Sequence, residues 1–387
     1  MGGIVLGSAA EMAEIRIQAV ETRRQQKEFL NLPWAFYDQD PYWIPPIRIN
    51  QAELVGYKRH PFYERARVQT FLAYEDGRVA GRIAAIVNPA HNEQYRDKVG
   101  FFGFFESSEN PQVAQGLLRA AESWLRDQGL EVARGPCNPS LNYECGLLVE
   151  GFDSAPFFMM TYNRPYYGAL IEQAGYEKVQ DMYAFWGHVN MLEQLDKKLE
   201  FVVNESMRRF NIKTRRLDRK HFHRDVRHFL DIYNRSLVNT WGFVPLSDAE
   251  LDHMAGSLRH LIVPEMTSFA EVDGKVVGAM FGLLDYNPRI KQIDGKLFPF
   301  GFLRLLWNRR AIKRVRLIST NVIPEYQKWG VGLVLVARIL PDVLSWGIEE
   351  AEFSWVLESN HLSRSTLQRG GAKLNKTYRL YDRRLVD

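Results

Sequence analysis

Apolar and polar residues along the chain alternate between two rhythms, and their order predicts a mixed α/β protein. Ile15 to Val20 alternates apolar and polar positions and reads as a strand. Gln25 to Tyr37 follows at helical spacing, with Phe29, Leu30, Trp34 and Phe36 on a packed face. Beyond the irregular aromatic loop Asp40 to Pro46, the runs Gln69 to Glu75 and Arg78 to Val87 are strands joined by Asp76-Gly77, a strong hairpin signal. Phe101 to Glu106 is a further strand. Asn110 is placed to cap a helix with Pro111 at its first position, and the pattern runs to Gln128 before Gly129 ends it. Val132 to Gly135 begins another strand, and Gly175 to Trp186 closes the series.

The same order then returns. Asn190 to Phe210 reads as an amphipathic linking helix, with Leu192, Leu195, Leu199, Val202, Val203 and Met207 on one side. Ile212 to Arg216 starts a second series, followed by helices at Arg224 to Asn239 and Leu251 to Leu261 around the loop Trp241 to Leu246. Ser268 to Val272 and Val276 to Leu284 form a hairpin about Asp273-Gly274. Val315 to Ile323 is short and rich in β-branched residues, so it is a strand, and Leu333 to Trp346 stays apolar for several turns, as a well-buried helix does. Ala351 to Leu357 is the next strand. Glu358-Ser359-Asn360 opens a helix that ends at Gly370-Gly371, and Thr377 to Tyr381 closes the sheet.

Composition adds bounds. The 387 residues suffice for two domains, and 46% apolar and 13% aromatic content supports substantial cores. Residues 1 to 13 lack a basic start and a long apolar core, so they read as a loose leader and not as a secretory signal. No run of about 18 apolar residues predicts a transmembrane helix. Cys137 and Cys145 point to a reducing compartment, hence a cytoplasmic protein, and are too few for the usual zinc site, so no metal is expected. A net charge of +4 carries no nucleic-acid signature.

The chemistry centres on Gln327-Lys328-Trp329-Gly330-Val331-Gly332, between the apolar strand and the apolar helix. The first N–H groups of a helix lack intrahelical acceptors and carry partial positive charge. Glycines without Cβ let a ligand approach the backbone, so the turn is suited to a pyrophosphate. It is not a P-loop, since no Gly-Lys-Ser/Thr follows, and it lacks the third glycine of a dinucleotide fingerprint.

Gln327-x-x-Gly330-x-Gly332 matches the pyrophosphate loop Q/R-x-x-G-x-G/A, and the chain resembles the GCN5-related N-acetyltransferase (GNAT) superfamily. The resemblance implies two tandem GNAT-like domains, each a mostly antiparallel mixed sheet with a splayed central strand pair flanked by helices. The divisions expected are 14–190 for a divergent first copy and 191–387 for a second copy that binds acyl-CoA. It implies acetyl-CoA or a longer acyl-CoA as co-substrate, held by Asn321, Val322, Gln327, Lys328, Trp329, Gly330, Val331, Gly332, Asn360 and Ser363. The first copy reads Ser107 to Gln112 where the loop should stand, with Glu109 set to repel a phosphate, so it should not bind acyl-CoA in the usual way.

The implied reaction is acyl transfer from the thioester to an amine. A backbone N–H near Val322 would polarise the carbonyl, a carboxylate would take the ammonium proton, and a tyrosine would protonate the thiolate. Many members carry that tyrosine where this chain has Leu367. Glu144, Glu358 and Tyr378 are therefore the candidate acid and base residues, with Asn234, Asn239 and Trp241 near the acceptor. Glu325 reads as a solvated loop residue. The polar loop Asn138 to Glu144 suits a pocket wall and equally a self-satisfied turn. The apolar insertion Lys296 to Trp307, with Arg309, Arg310, Lys313, Arg314 and Arg316 behind it, admits three readings: packing between the copies, an acyl pocket, or peripheral membrane contact. Two functions stand at this point, an N-acyltransferase acting on a small or lipid-like amine, and a non-catalytic acyl-CoA- or lipid-binding protein of the same fold.

Overall fold

The computed structural model describes residues 14–194 and 197–385. The leader expected over residues 1 to 13 lies outside them, as do the side chains of 192–199, on which part of the linking helix's apolar face was placed.

In the first half the elements are β1 (Ile15–Ala19), α1 (Arg23–Phe36), α2 (Arg48–Leu54), β2 (Arg67–Glu75), β3 (Arg78–Val87), α3 (Pro89–Tyr95), β4 (Val99–Ser107), α4 (Pro111–Asp127), β5 (Val132–Gly135), β6 (Cys137–Asn138), β7 (Glu144–Cys145), β8 (Leu147–Glu150), α5 (Tyr167–Gln173) and β9 (Glu177–His188). The second half has α6 (Lys197–Arg209), β10 (Lys213–Arg215), α7 (Phe222–Ser236), α8 (Asp248–Leu258), β11 (Thr267–Val272), β12 (Lys275–Leu284), α9 (Asn287–Gln292), α10 (Gly301–Leu306), β13 (Arg314–Val322), α11 (Val331–Trp346), β14 (Glu350–Leu357), α12 (His361–Arg369) and β15 (Lys373–Arg384). Local signals set many boundaries. Thr22 and Gln25 form a capping box at α1, and the Asn110 side chain accepts from Gln112 N–H at the start of α4. Asp76-Gly77 and Asp273-Gly274 all have positive φ, as tight hairpin turns between twisted strands require. The linking segment is not one helix: a 3₁₀ stretch, Val189–Gln194, precedes α6.

The halves repeat each other. Asp76-Gly77-Arg78-Val79-Ala80-Gly81 and Asp273-Gly274-Lys275-Val276-Val277-Gly278 occupy the same turn and strand, and an Asn-Pro pair follows each of β3 and β12. Gly81 pairs with Ser107 on β4, and Gly278 pairs with Val322 on β13, so those strand ends correspond. Both central pairs, β4 with β5 and β13 with β14, are parallel and short.

All but β6 and β7 join one sheet in the order β1-β2-β3-β4-β5-β15-β9-β14-β13-β12-β11-β10, with β8 also on β15. The order contains an exchange. β9, from the first half, lies against β14 of the second, from Glu350↔His188 to Leu357↔Met182. β15, at the end of the second half, lies against β5 of the first, from Tyr381↔Gly135 to Arg384↔Val132. Arg134 clamps Asp382 across β5 and β15 at 2.8 and 2.7 Å, and Arg379 clamps Asp181 across β15 and β9 at 2.8 and 3.1 Å. Neither half completes its own sheet.

The apolar insertion departs from the reading that it packs between the copies. Its base does so: Arg48 N–H donates to Gly295 O at 3.1 Å, and the Trp34 indole and the Arg48 guanidinium hold Asp294. At its tip Phe298, Phe300, Phe302, Leu303 and Trp307 project into solvent, while Leu305 is buried in the second half's core.

Ending the chain at Ala372 should open both halves. Hydrogen exchange at Val132–Gly135 would rise toward the unfolded rate, because β5 loses its β15 neighbour; unchanged protection there would mean that the first half holds its sheet alone.

Candidate active site

β13 and β14 pair only from Arg314↔Glu350 to Leu317↔Phe353. Beyond that point they part, although β13 continues to Val322 and β14 to Leu357. A bulge at Ile318, where β12 pairing skips from Leu317 to Ser319, bends the strand at the fork. Ile318, Ser319, Trp355 and Leu357 keep partial exposure and Thr320 is exposed, so the fork is open. At its far end, Gln327 Nε2 donates to Val322 O at 3.1 Å. Gly330, with φ of 76°, turns the chain into α11, and no side chain caps that helix. The first-turn N–H groups therefore face outward. A Cβ on Gly330 would sit 2.6 Å from Ser206 Oγ, whereas one on Gly332 would meet nothing within 4 Å. Gly330 serves the turn, and Gly332 leaves room for a ligand. Trp329 stacks on Phe210 with ring centroids 4.4 Å apart, which fixes the loop. These residues fit the pyrophosphate and the extended arm of a CoA thioester.

The first half closes the corresponding places. Three residues (108–110) join β4 to α4, against eight (323–330) between β13 and α11, so the loop is absent by length as well as by composition. Its fork is plugged by its own chain: Asn138 Oδ1 accepts from Phe104 N–H at 2.6 Å, and a Cβ at Gly103 would collide with Cys137 O. Below the plug, Glu106 accepts from Tyr37 and Tyr167 hydroxyls at 2.7 Å each, with Arg82 at 3.4 Å.

A buried polar cluster sits at the crotch of the open fork. Arg316, which the sequence groups with the basic cluster behind the apolar insertion, is 2% exposed, because it lies inside β13 and points inward. Its Nε donates to Ser354 Oγ at 2.8 Å and its Nη1 to Phe158 O and Met159 O at 3.0 Å each. Ser354 Oγ donates to Glu352 Oε1 at 2.7 Å, and Glu352 lies 4.0 Å from the guanidinium. Burial pushes Glu352 up to about 7 against the pull of Arg316. Glu144, at the end of the β6–β7 hairpin, is also lifted to about 7 by burial and held down by Arg316. As a residue it is half-buried. Tyr378 is fully buried beside Glu352 and Arg316, its hydroxyl unpartnered and its pKa raised by burial.

The structure thus gathers Glu144 and Tyr378 around Arg316 but leaves Glu358 outside. Glu358 binds Lys178 at 2.9 Å and accepts from Asp181 N–H at 3.3 Å, on the β9 side of β14. Asn321 is buried and bonds Ser319, while Asn360 caps α12 by accepting from Ser363 N–H at 3.1 Å. Asn234 holds Leu246 through both its backbone groups, and Trp241 lies under Arg134. The polar loop Asn138 to Glu144 leans on that same second-half loop, with Asn142 Nδ2 donating to Val244 O at 2.8 Å and Tyr143 Oη to Glu250 at 3.0 Å. Glu325 pairs with Arg235 at 3.1 Å on the surface. Arg316, Glu352 and Ser354 were not singled out as site residues. Their signal was charge at inward positions of apolar strands: Glu352, Ser354 and Val356 share the buried face of β14.

No protein-family model matches the chain. It is 33% identical over 367 residues to Protein YghO of Escherichia coli, covering 93% of each chain. It is 33% identical over 384 residues to the bacterial ceramide synthase of Caulobacter vibrioides, covering 96% of this chain and 98% of the relative. Among solved structures it resembles a tandem GNAT protein from the clavulanic acid biosynthesis pathway, with a TM-score of 0.56, 11% identity, and 97% and 99% of the two chains covered.

Replacing Arg316 by Met should cost about 3–5 kcal/mol, since it strands buried Glu352 and three carbonyl acceptors. Glu352 has a folded pKa near 7 against an ordinary 4.5. The folded state therefore holds its proton longer, and stability from this group is present below pH 4.5 and lost as pH rises to about 7. Urea midpoints of Glu352→Gln should fall less over that window than those of the parent; parallel curves would rule this out.

Proposed function

The chain belongs to the family of its two full-length relatives and has the tandem GNAT fold, and on that premise we propose that it is an acyl-CoA-dependent N-acyltransferase that joins a long acyl chain to a lipid-like amine. The observation that carries this reading is the single open fork, which lies ahead of the uncapped α11 terminus while its counterpart in the first half is plugged. A long-chain acceptor or donor is favoured by the walls. Trp355 and Leu357, on the parted half of β14, belong to one apolar cluster with Phe157, Met160, Met182 and Trp241. The relative named a bacterial ceramide synthase supports the same class of acceptor.

In this reading the work divides between the halves. Residues 191–387 hold the donor: first-turn N–H groups of α11 and the Gly332 gap receive the pyrophosphate, and the unpaired edge of β13 receives the extended arm. N–H groups of β13 at the fork polarise the thioester carbonyl. Residues 14–190 wall the acceptor and supply Glu144. A carboxyl near 7 is partly ionised at neutral pH, so it can take the proton of the attacking ammonium. The amine nitrogen bonds the carbonyl carbon, the C–S bond breaks, and the thiolate leaves to be protonated. Arg316 keeps Glu144 from rising further, and Tyr378 sits in the same field. A second reading, a binding protein without turnover, is favoured by Leu367 at the family's tyrosine position and by the buried Tyr378 hydroxyl.

Thiol release from acyl-CoAs of increasing chain length, with a long-chain amino alcohol as acceptor, tests the proposal. Turnover that rises with chain length supports it; acetyl preference or acceptor-independent silence overturns it. Gly332→Leu should leave the melting temperature unchanged yet weaken acyl-CoA binding about a hundredfold, while Gly330→Ala should destabilise the chain by about 1–2 kcal/mol. Glu144→Gln should lower kcat about a hundredfold or more and remove the acidic limb of the pH profile, with acyl-CoA affinity retained. Tyr378→Phe removes an unpartnered hydroxyl and should not destabilise. If neither of these two variants alters turnover, the assigned chemistry is wrong.

A further inference from the structure

The segment between β12 and β13 carries a surface that the fork does not use. Phe298, Phe300, Phe302, Leu303 and Trp307 are exposed by 73, 72, 41, 54 and 78%. Single exposed apolar side chains are ordinary, but five within ten residues form a patch. The tip is braced from behind. Arg289 donates to Leu305 O at 2.9 Å and Asn308 O at 2.7 Å, and also to Trp307 O, so it satisfies the carbonyls that end α10. Phe302 N–H donates to Leu297 O at 2.8 Å, and Gly295 is tied to the first half. The rings are thus held out into water by a fixed loop.

The surroundings are cationic. Among the described residues, Arg289, Arg304, Arg309 and Arg310 have no carboxylate within 4.0 Å. A cavity of about 670 Å³ opens beside the tip, lined by Arg289, Arg304, Lys313 and Arg314 together with Leu303 and Trp307. Its carboxylate, Asp285, is fully buried behind Arg314 at 3.4 Å.

We propose that this tip is a membrane anchor: Phe298, Phe300 and Trp307 seat in the interface of an anionic bilayer, and headgroup phosphates lie against Arg304, Lys313 and the cavity's arginines. Protruding aromatic tips with a cationic surround suit an interface that yields around them, whereas a folded partner needs a matching groove. Phe, Trp and Leu beside Arg and Lys is the composition of interfacial anchors, and unpaired cations complement an anionic leaflet. The six-residue α10 is too short to span, and among the described residues no helix is long and apolar enough to cross a membrane, so the segment lies on the surface. The anchor stands at the opposite end of β13 from Gly330 and makes no demand on acyl-CoA chemistry.

Flotation of the full chain with vesicles tests this, using phosphatidylcholine alone and phosphatidylcholine with a quarter phosphatidylglycerol, at low and high salt. The chain should float with the anionic vesicles only and be released by salt. Phe300→Ser with Trp307→Ser should weaken the partition tenfold or more, and Arg304→Gln and Arg310→Gln about fivefold each. All four positions are exposed, and unchanged melting temperatures would exclude misfolding. No flotation with anionic vesicles, or equal flotation of the variants, overturns the proposal. A dimer that the Phe300/Trp307 variant dissolves, without vesicle binding, overturns it too, by making the patch a contact between copies.

Discussion

A guanidinium with almost no access to water holds this molecule together at its centre. Burying Arg316 is affordable only because every donor finds an oxygen and a carboxylate lies alongside. Those oxygens come from three places: Ser354 on β14, and Phe158 and Met159 from the first half. The charge therefore pins β13 to β14 at the last residues where they pair, and pins both to the neighbouring half. The fork opens where this anchorage stops. The same charge bears on the carboxyls beside it, since Glu352 and Glu144 are raised by burial and restrained by one cation. Strand anchorage and carboxyl acidity at the crotch thus depend on a single guanidinium.

The exchange of β9 and β15 makes that arrangement possible. With its own last strand committed to the first half, β14 takes β9 as neighbour, and the chain leading to β9 brings Phe157 to Met160 under the fork. The exchange also explains why two copies of one fold differ so sharply. The first copy has a loop five residues shorter and a fork filled by Asn138, and the hairpin that plugs it carries Glu144 directly across from Asn138. One hairpin thus fills one fork and carries the glutamate proposed to act at the other.

Much of this was legible in the residues. Period-two runs, Asp-Gly turns, the Asn110-Pro111 cap and the glycines after β13 are local signals, and the structure keeps them within a few residues. The glycine turn ahead of α11 and the short 108–110 link at the matching place in the first half were legible for the same reason. What was not legible depends on distant partners. The exchange of β9 and β15 leaves no local mark, because a strand's pattern records its burial and not its neighbour. Arg316 was grouped with Arg309 to Arg314 because sequence shows a run of charge; only the strand's alternation turns one member inward. Glu358 and Glu144 look alike as glutamates at strand ends, yet Lys178 neutralises the first at the surface and burial reserves the second. The short helices α2, α3 and α9 lack the length that makes a periodic pattern readable.

The geometry also orders the chemistry along one strand. β13 begins beside the apolar tip, passes the Arg316 cluster at its third residue, parts from β14 after its fourth, and ends at the glycine turn. Nine residues span about 30 Å. On the proposed reading, an apolar substrate entering at one end and a phosphorylated carrier held at the other would meet near the fork, beside the cluster tied to Arg316. On that reading, the sheet edge that would receive the carrier is the edge that β14 gives up. Carrier binding and access of the second substrate would then both depend on the gap that opens at the Ile318 bulge, and the first half's plugged fork shows the alternative the same fold takes when the gap is filled from within.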